Sequence, residues 1–445
     1  MIDKKAGFIS LVLFCAAMAP FGTTGTAMAG GEDIGASHDA SAISDPLQYA
    51  NDAIARYRPL KCKKSKSPLF RAGPSDLLEL EIISDFRRIN ADTYDEEGGD
   101  SGVISYLDKK NRRQYVPVFI KDRGNSRRDS CEWVPLRITF ESPKVKKKLD
   151  RSLGDSSRDG DRLVRTYNEL KAMRKGVPLL KGTSQKDNIF RKLGDDIKIV
   201  THCGKSTWRH VGGDTKEEQE NRLLQEYYIY QVLDQMKSTT LKTRLAEITY
   251  RDPGGNLLLT RKAFFREPKS KLAKRCGLSN KSYPGVAVKG FNKTSLFQLE
   301  LFNQFVYSKD YDLEEESNIN VLYGKDGQKY VGPYDFDLSG IIAPEYRPNR
   351  KTVEENLKEN FQPWLKSRDG DEMAIVQIFF MVRKKAKMRN VLTSSLLNKE
   401  KKAHMLNWFD SYMAALEQFL ERNRALKPEL IKGLELWSRS KKKRK

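Results

Sequence analysis

An α+β protein, with strands first and helices later, is the fold class this sequence predicts. Three observations lead there. Residues 75–142 hold four segments that mix β-branched or aromatic residues with polar ones, and turn-formers such as EEGGDSG separate them. TRLAEITY and LLLTRKAFF flank RDPGGN, whose Pro253-Gly254-Gly255 is a strong turn signal. Beyond residue 296 the apolar residues recur at helical spacing, first in LFQLELFNQFVYS and later at Met405, Phe409, Tyr412, Leu416 and Phe419.

Taken in order, the chain opens with Lys4 and Lys5, a mostly apolar run over 7–20, and the small-x-small triplet Ala27-Met28-Ala29. This is the form of a secretory signal peptide over 1–29. Residues 30–72, rich in Gly, Ala, Ser, Asp and then Lys, read as a mobile mature N-terminus with one short helix near 45–57. LLELEIISDF, SGVISYL, QYVPVFIKDRG and VPLRITFES are the four strand candidates. A charged insertion over 143–190 follows, with one helix near 162–173, and then the buried-strand pattern Ile197-Lys198-Ile199-Val200-Thr201. Leu223, Tyr227, Tyr230 and Leu233 form one apolar face of a helix over 217–236. Residues 318–330 suggest a second hairpin turning at KDGQ. Pro428 ends or redirects the C-terminal helices, and 431–445 form a basic tail.

The 445 residues carry 81 Lys and Arg against 59 Asp and Glu, a formal charge of +22. Such a surface suits an acidic partner: nucleotide phosphate, an anionic membrane surface or an envelope polymer. No groove-reading module is present, which argues against nucleic acid. No apolar run after the N-terminus is long enough to span a bilayer. With the signal removed, Cys62, Cys131, Cys203 and Cys276 remain, enough for two disulfides with three possible connectivities. They do not cluster with the four histidines, which argues against zinc.

The segment VGPYDFDLSG, residues 331–340, places Asp335 and Asp337 in an otherwise apolar stretch. Upstream lie Asp310, just past the 296–308 helix, and Asn318. Phosphoryl transfer needs a carboxylate to orient or deprotonate the attacking hydroxyl, and hard oxygen ligands for magnesium. Lys198, mid-strand, and Glu226, on the following helix, are residue types that position a phosphate-binding ammonium. Arg123 and Gly124 belong to KDRGNSR, a basic glycine-containing loop able to close over phosphates.

These segments, in this order, resemble the CotH-type atypical kinases, and more closely a divergent exported bacterial branch. The resemblance is carried by VFIKDRGNSRRDSCEWVPLRITF (118–140), IFRKLGDDIKIVTH (189–202), LLQEYYIYQVL (223–233), Asp310 to Asn318, and PYDFD (333–337). It implies a two-lobed atypical kinase-like fold. A β-rich N-lobe would cover 73–265, including the Glu226 helix and the 143–190 insertion, and a helical C-lobe would cover 266–430. ATP would sit between them with Mg2+ or Mn2+. Asp310 would be the catalytic carboxylate, Asn318, Asp335 and Asp337 the metal ligands, and Lys198, Glu226, Arg123 and Gly124 would bind nucleotide. Arg137 competes with Lys198 for the nucleotide role. Cys131 and Cys203, the latter next to His202, would form a disulfide.

The branch typically has Gly and His where this chain has Tyr307 and Ser317. The resemblance therefore implies a kinase or a pseudokinase, acting on a Ser or Thr of an envelope protein in the periplasm or outside the cell. A non-catalytic basic binding protein for an anionic envelope polymer, and a metal-dependent phosphoester hydrolase, are the competing expectations.

Overall fold

Seven strands close on themselves. A computed structural model describes residues 45–90, 100–123, 131–140, 188–203, 215–308, 310–342, 355 and 370–443. The strands are β1 (Leu78–Ser84), β2 (Asp100–Leu107), β3 (Arg113–Asp122), β4 (Leu136–Phe140), β5 (Asp196–Val200), β6 (Thr243–Arg251) and β7 (Leu257–Arg266). They form a closed barrel in the order β1-β2-β3-β4-β5-β7-β6. The pairs along this order are antiparallel, while β6 returns to β1 in parallel, with Leu78 opposite Ala246 and Ile83 opposite Arg251. Inward residues such as Ile82, Ile104, Ile120, Ile138, Ile199 and Phe265 fill the interior. Each is flanked along its strand by residues of the outer face, as a period of two requires.

Nine α-helices accompany the barrel among the described residues. They are α1 (Pro46–Tyr57), α2 (Phe86–Asn90), α3 (Lys216–Asp234), α4 (Lys269–Cys276), α5 (Lys293–Val306), α6 (Gly370–Val382), α7 (Lys385–Thr393), α8 (Lys399–Leu426) and α9 (Pro428–Lys443). A two-stranded ribbon, β8 (Ile319–Tyr323) with β9 (Lys329–Pro333), lies between α5 and α6 in sequence. The N-terminus of α3 is fixed by Thr215, whose side chain accepts a hydrogen bond from the Glu218 amide, and by the acidic first turn. Its periodic stripe understates its burial: Leu223, Leu224, Tyr227, Tyr228, Ile229 and Tyr230 are all inside. On one side it meets Val200, Leu245 and Phe264 on the outer wall of the barrel, and the same core continues into α5, α7 and α8.

The two-lobed kinase-like arrangement therefore does not form. The β-rich half closes into a barrel instead of an open lobe. The C-terminal helices build no lobe of their own but share one continuous core with α3 and the barrel wall. Residues 45–445 make one compact unit. The physical reason is α3: buried on nearly every side between Asn221 and Leu233, it is covered on both flanks and ties the barrel wall and the later helices into one core. Helix α1 packs with α6 and α9 rather than with the strands that follow it.

Two disulfides join distant segments, Cys62–Cys276 and Cys131–Cys203. Both fit an oxidising environment. Among the described residues, no helix is long and apolar enough to cross a membrane. The signal-peptide segment, most of the 143–190 insertion and Gly124 lie outside the described residues.

Candidate anion and carboxylate site

Strand register brings together what sequence separates. Lys121 on β3 is opposite Arg137 on β4, Arg137 is opposite Lys198 on β5, and Lys198 is opposite Arg266 on β7. Residues directly opposite point to the same side of a sheet. Ile120, Ile138, Ile197 and Phe265, their neighbours in sequence, face the barrel interior. The four cations thus form one row on the outer face. Like charges placed directly opposite one another destabilise a sheet, so the row calls for anions. Two are supplied internally: Asp196 accepts from Arg137 Nε at 2.7 Å, and Asp335 Oδ1 lies 3.7 Å from Arg266 Nη1.

Arg266 was not among the sequence-derived site residues, yet it is the hub. It ends β7, is buried, and its guanidinium lies 4.9 Å from the centroid of the Tyr334 ring. Burial works against its charge, but Tyr230, Asp335 and Glu226 outweigh burial and hold it above its usual value. The Tyr230 hydroxyl is itself raised, by burial first and by Glu226 and Asp335 further, with Arg266 opposing. A hint was available in sequence: alternation in TRKAFFR puts Arg266 on the side of Phe264, which faces α3.

Lys198 is exposed to solvent yet partly desolvated by the protein around it. That desolvation, followed by the charges of Arg266, Arg123 and Arg137, lowers its pKa from 10.5 to about 8. Arg123 reaches the same neighbourhood. Its amide donates to the Pro135 carbonyl at 2.9 Å, and its charge is felt by both Lys198 and Tyr334.

The carboxylates come from the segment after α5. That helix starts at Asn292, which accepts from the Ser295 amide, and ends at Tyr307 in the left-handed region with φ 55°. Glycine is the default residue for this conformation. Here Tyr307 adopts it, packed edge-on against Trp408 with ring centroids 6.1 Å apart. The loop beyond is shaped by two side chains. Asp312 Oδ1 accepts from the Glu314 and Glu315 amides, and Asn318 Nδ2 donates to the Asp310 carbonyl at 2.7 Å and to Asp310 Oδ2 at 3.0 Å. Asp310 is partly enclosed. This enclosure, with the negative charge of Asp335 second, raises its carboxyl above the usual range.

β9 ends at Pro333, and Asp335 has φ 66°, so strand alternation does not govern the two acids of DFD. The ribbon is pressed onto residues 238–240. A Cβ at Gly332 would sit 1.9 Å from the Thr239 carbonyl oxygen, so only glycine fits there. Phe336 anchors the loop in the core, its ring 4.9 Å from that of Tyr230, while the Tyr230 hydroxyl accepts from the Asp335 amide at 2.9 Å. Asp335 is thereby turned toward Arg266 and Asp310. Asp337 goes elsewhere: with Glu226, Arg222 and Gln219 it lines a cleft under Thr201, His202 and Cys203. His202 is buried and stacked on Trp133. Its pKa falls to about 4 through burial, then Arg261 and Lys216, so it stays neutral across the physiological range.

Asp310, Asn318, Asp335, Lys198, Arg123 and Glu226 therefore belong to one electrostatic neighbourhood, and Asp337 borders it. Among the described residues no group of three or more His, Cys, Asp or Glu is set to hold a metal. Two close carboxylates beside cations do fit Mg2+, which keeps its waters and takes one or two carboxylates plus phosphate oxygens. Asn318 holds Asp310 through Nδ2, and these hydrogen bonds do not engage Oδ1, the atom that would meet a metal. No protein-family model matches this chain, and no curated protein matches it significantly.

Proposed function

We propose that the protein is an exported phosphoryl-transfer protein. It takes the phosphates of ATP on Lys198 and Arg266 and passes the terminal phosphoryl group to a Ser or Thr hydroxyl of an envelope protein. The observation that carries this reading is the meeting of two adjacent cations with two mutually repelling carboxylates, Asp310 and Asp335. A carboxyl raised above its ordinary range is a better proton acceptor for a hydroxyl nucleophile, so Asp310 takes the hydroxyl proton. The acceptor oxygen bonds to the terminal phosphorus, the bridging oxygen leaves with ADP, and Lys198 and Arg266 hold the charge on the phosphate oxygens. Asp335 would hold Mg2+, which would neutralise phosphate charge, while Asp310 acts as the base. The motif order shared with CotH-type kinases supports the same chemistry, here on a barrel scaffold. The N-terminal signal pattern and the two disulfides support export.

Thermal unfolding with and without ATP and Mg2+ tests the reading. At a hundredfold its dissociation constant the ligand stabilises by about 2.7 kcal/mol, and Asp335→Ala removes that shift. An unchanged melting temperature in the wild-type chain rejects the nucleotide site. A shift with no phosphate transferred to any protein hydroxyl leaves an anion-binding protein.

Lys198 gives the site a pH dependence whose sign follows from its lowered pKa. Its folded pKa of about 8 lies below the ordinary 10.5, so between these values the unfolded chain binds more protons and stability rises with pH. Ligand affinity runs the other way, because the phosphate needs the ammonium. We expect nucleotide affinity to weaken above pH 8, by up to about tenfold per pH unit, and Lys198→Met to abolish this dependence. Calorimetric titrations at pH 7 and 9 check it; identical affinities in the wild-type chain would remove Lys198 from the site.

A further inference from the structure

The cationic row continues two strands beyond the pair that the phosphoryl-transfer reading uses. From Arg266 through Lys198 and Arg137 to Lys121 it crosses β7, β5, β4 and β3. At about 4.8 Å per strand the row spans roughly 14 Å, more than one triphosphate group covers. Its middle members are open to solvent, the Arg137 side chain 52% exposed and Lys198 exposed, while Lys121 is half-buried and Arg266 is buried at one end. The ion pair to Arg137 leaves its other face accessible, because Asp196 sits beside it on the adjacent strand rather than above it. Arg123 adds charge next to Lys198. A straight row with one cation per strand is the complement of a straight chain with a negative charge at each short step.

We propose that this row is a docking track for a linear phosphate chain, with one end at Arg266 beside Asp335 and the other at Lys121. The track rests on the reading that Lys198 and Arg266 grip phosphate, and it adds the partner class: a phosphoanhydride-linked polyphosphate longer than a triphosphate. Each cation that meets a phosphate releases condensed counterions. Two further cations therefore steepen the slope of log affinity against log salt by about 1.4 for a single-chain polyanion.

The experiment titrates the full chain with tripolyphosphate, with a polyphosphate of about 20 units, and with polyglutamate of matching length, at several salt concentrations. We expect the long phosphate chain to bind at least tenfold more tightly than tripolyphosphate, with the steeper salt slope, and polyglutamate to bind more weakly. Lys121→Gln with Arg137→Gln should erase the long-chain advantage and the extra slope, and Lys121→Gln alone should reduce both while leaving tripolyphosphate and ATP affinity unchanged. Arg137→Lys, which keeps the charge, should retain them and also reports on folding. Equal affinity for short and long chains, or a long-chain advantage that survives the double substitution, overturns the track and leaves the nucleotide site standing. Equal binding of polyglutamate overturns the phosphate assignment. Loss of ATP binding in the wild-type chain is the separate failure of the phosphoryl-transfer reading.

Discussion

Gly433→Ala is expected to lower the free energy of unfolding by about 3 kcal/mol. Gly433 lies within α9 where that helix crosses α1. A Cβ there would sit 1.8 Å from the Pro46 carbonyl oxygen and 2.8 Å from the Ala50 Cβ. The obstacle is backbone, so no rotamer change relieves it and the two helices must separate. Separation opens the apolar cluster of Ala50, Ala53, Ile375, Val376, Leu430 and Leu434. Alanine's better helix propensity returns at most about 1 kcal/mol, so the net sign is destabilising. Urea unfolding of the two proteins measures the difference. Equal or greater stability in the alanine variant would show that α9 is not seated on α1.

Arg266→Met is expected to cost about 2 kcal/mol and to erase the ATP-induced stabilisation. Removing one member of a buried ion pair leaves the other charge uncompensated, at about 3 to 5 kcal/mol when both are fully buried. Here the Asp335 side chain is 36% exposed, and solvent screening discounts the figure. The Tyr334 ring also loses the cation packed on it. Combining Arg266→Met with Asp335→Asn should restore part of the stability, because the stranded charge is gone, and none of the ligand response. A retained ATP shift in the single variant would take Arg266 out of the site.

The local elements were legible because each depends on neighbours in sequence. The alternation in QYVPVFIKD, the PGG turn before β7 and the stripe at Met405, Phe409, Tyr412 and Leu416 each mark the element that forms. Closure of the barrel was not legible. It depends on β1 meeting β6 in parallel, a register fixed by burial of Leu80, Ile82, Ile248 and Tyr250 together, and no short window encodes it. The two-lobed expectation failed there, and again at α3, whose second buried flank a single apolar stripe does not reveal.

The site divides in the same way. Asp310, Asn318 and Asp335 lie within one stretch of chain and stood out by residue type. Arg266 did not, because its importance comes from standing opposite Lys198, a fact of register. Tyr307 looked like the loss of a required glycine, whereas its left-handed backbone is sustained by packing on Trp408, far along the chain.

The parallel β1–β6 pairing also sets a clock. β1 cannot gain its second neighbour until residues 243–251 have been made, with Leu78 waiting for Ala246. At typical synthesis rates of roughly 5 to 20 residues per second, that delay is on the order of ten to thirty seconds. Throughout it the nascent sheet has an open margin and no completed core. A chain in that state is still threadable, so the topology that seals the finished barrel also keeps the polypeptide loose until residues 243–251 join it.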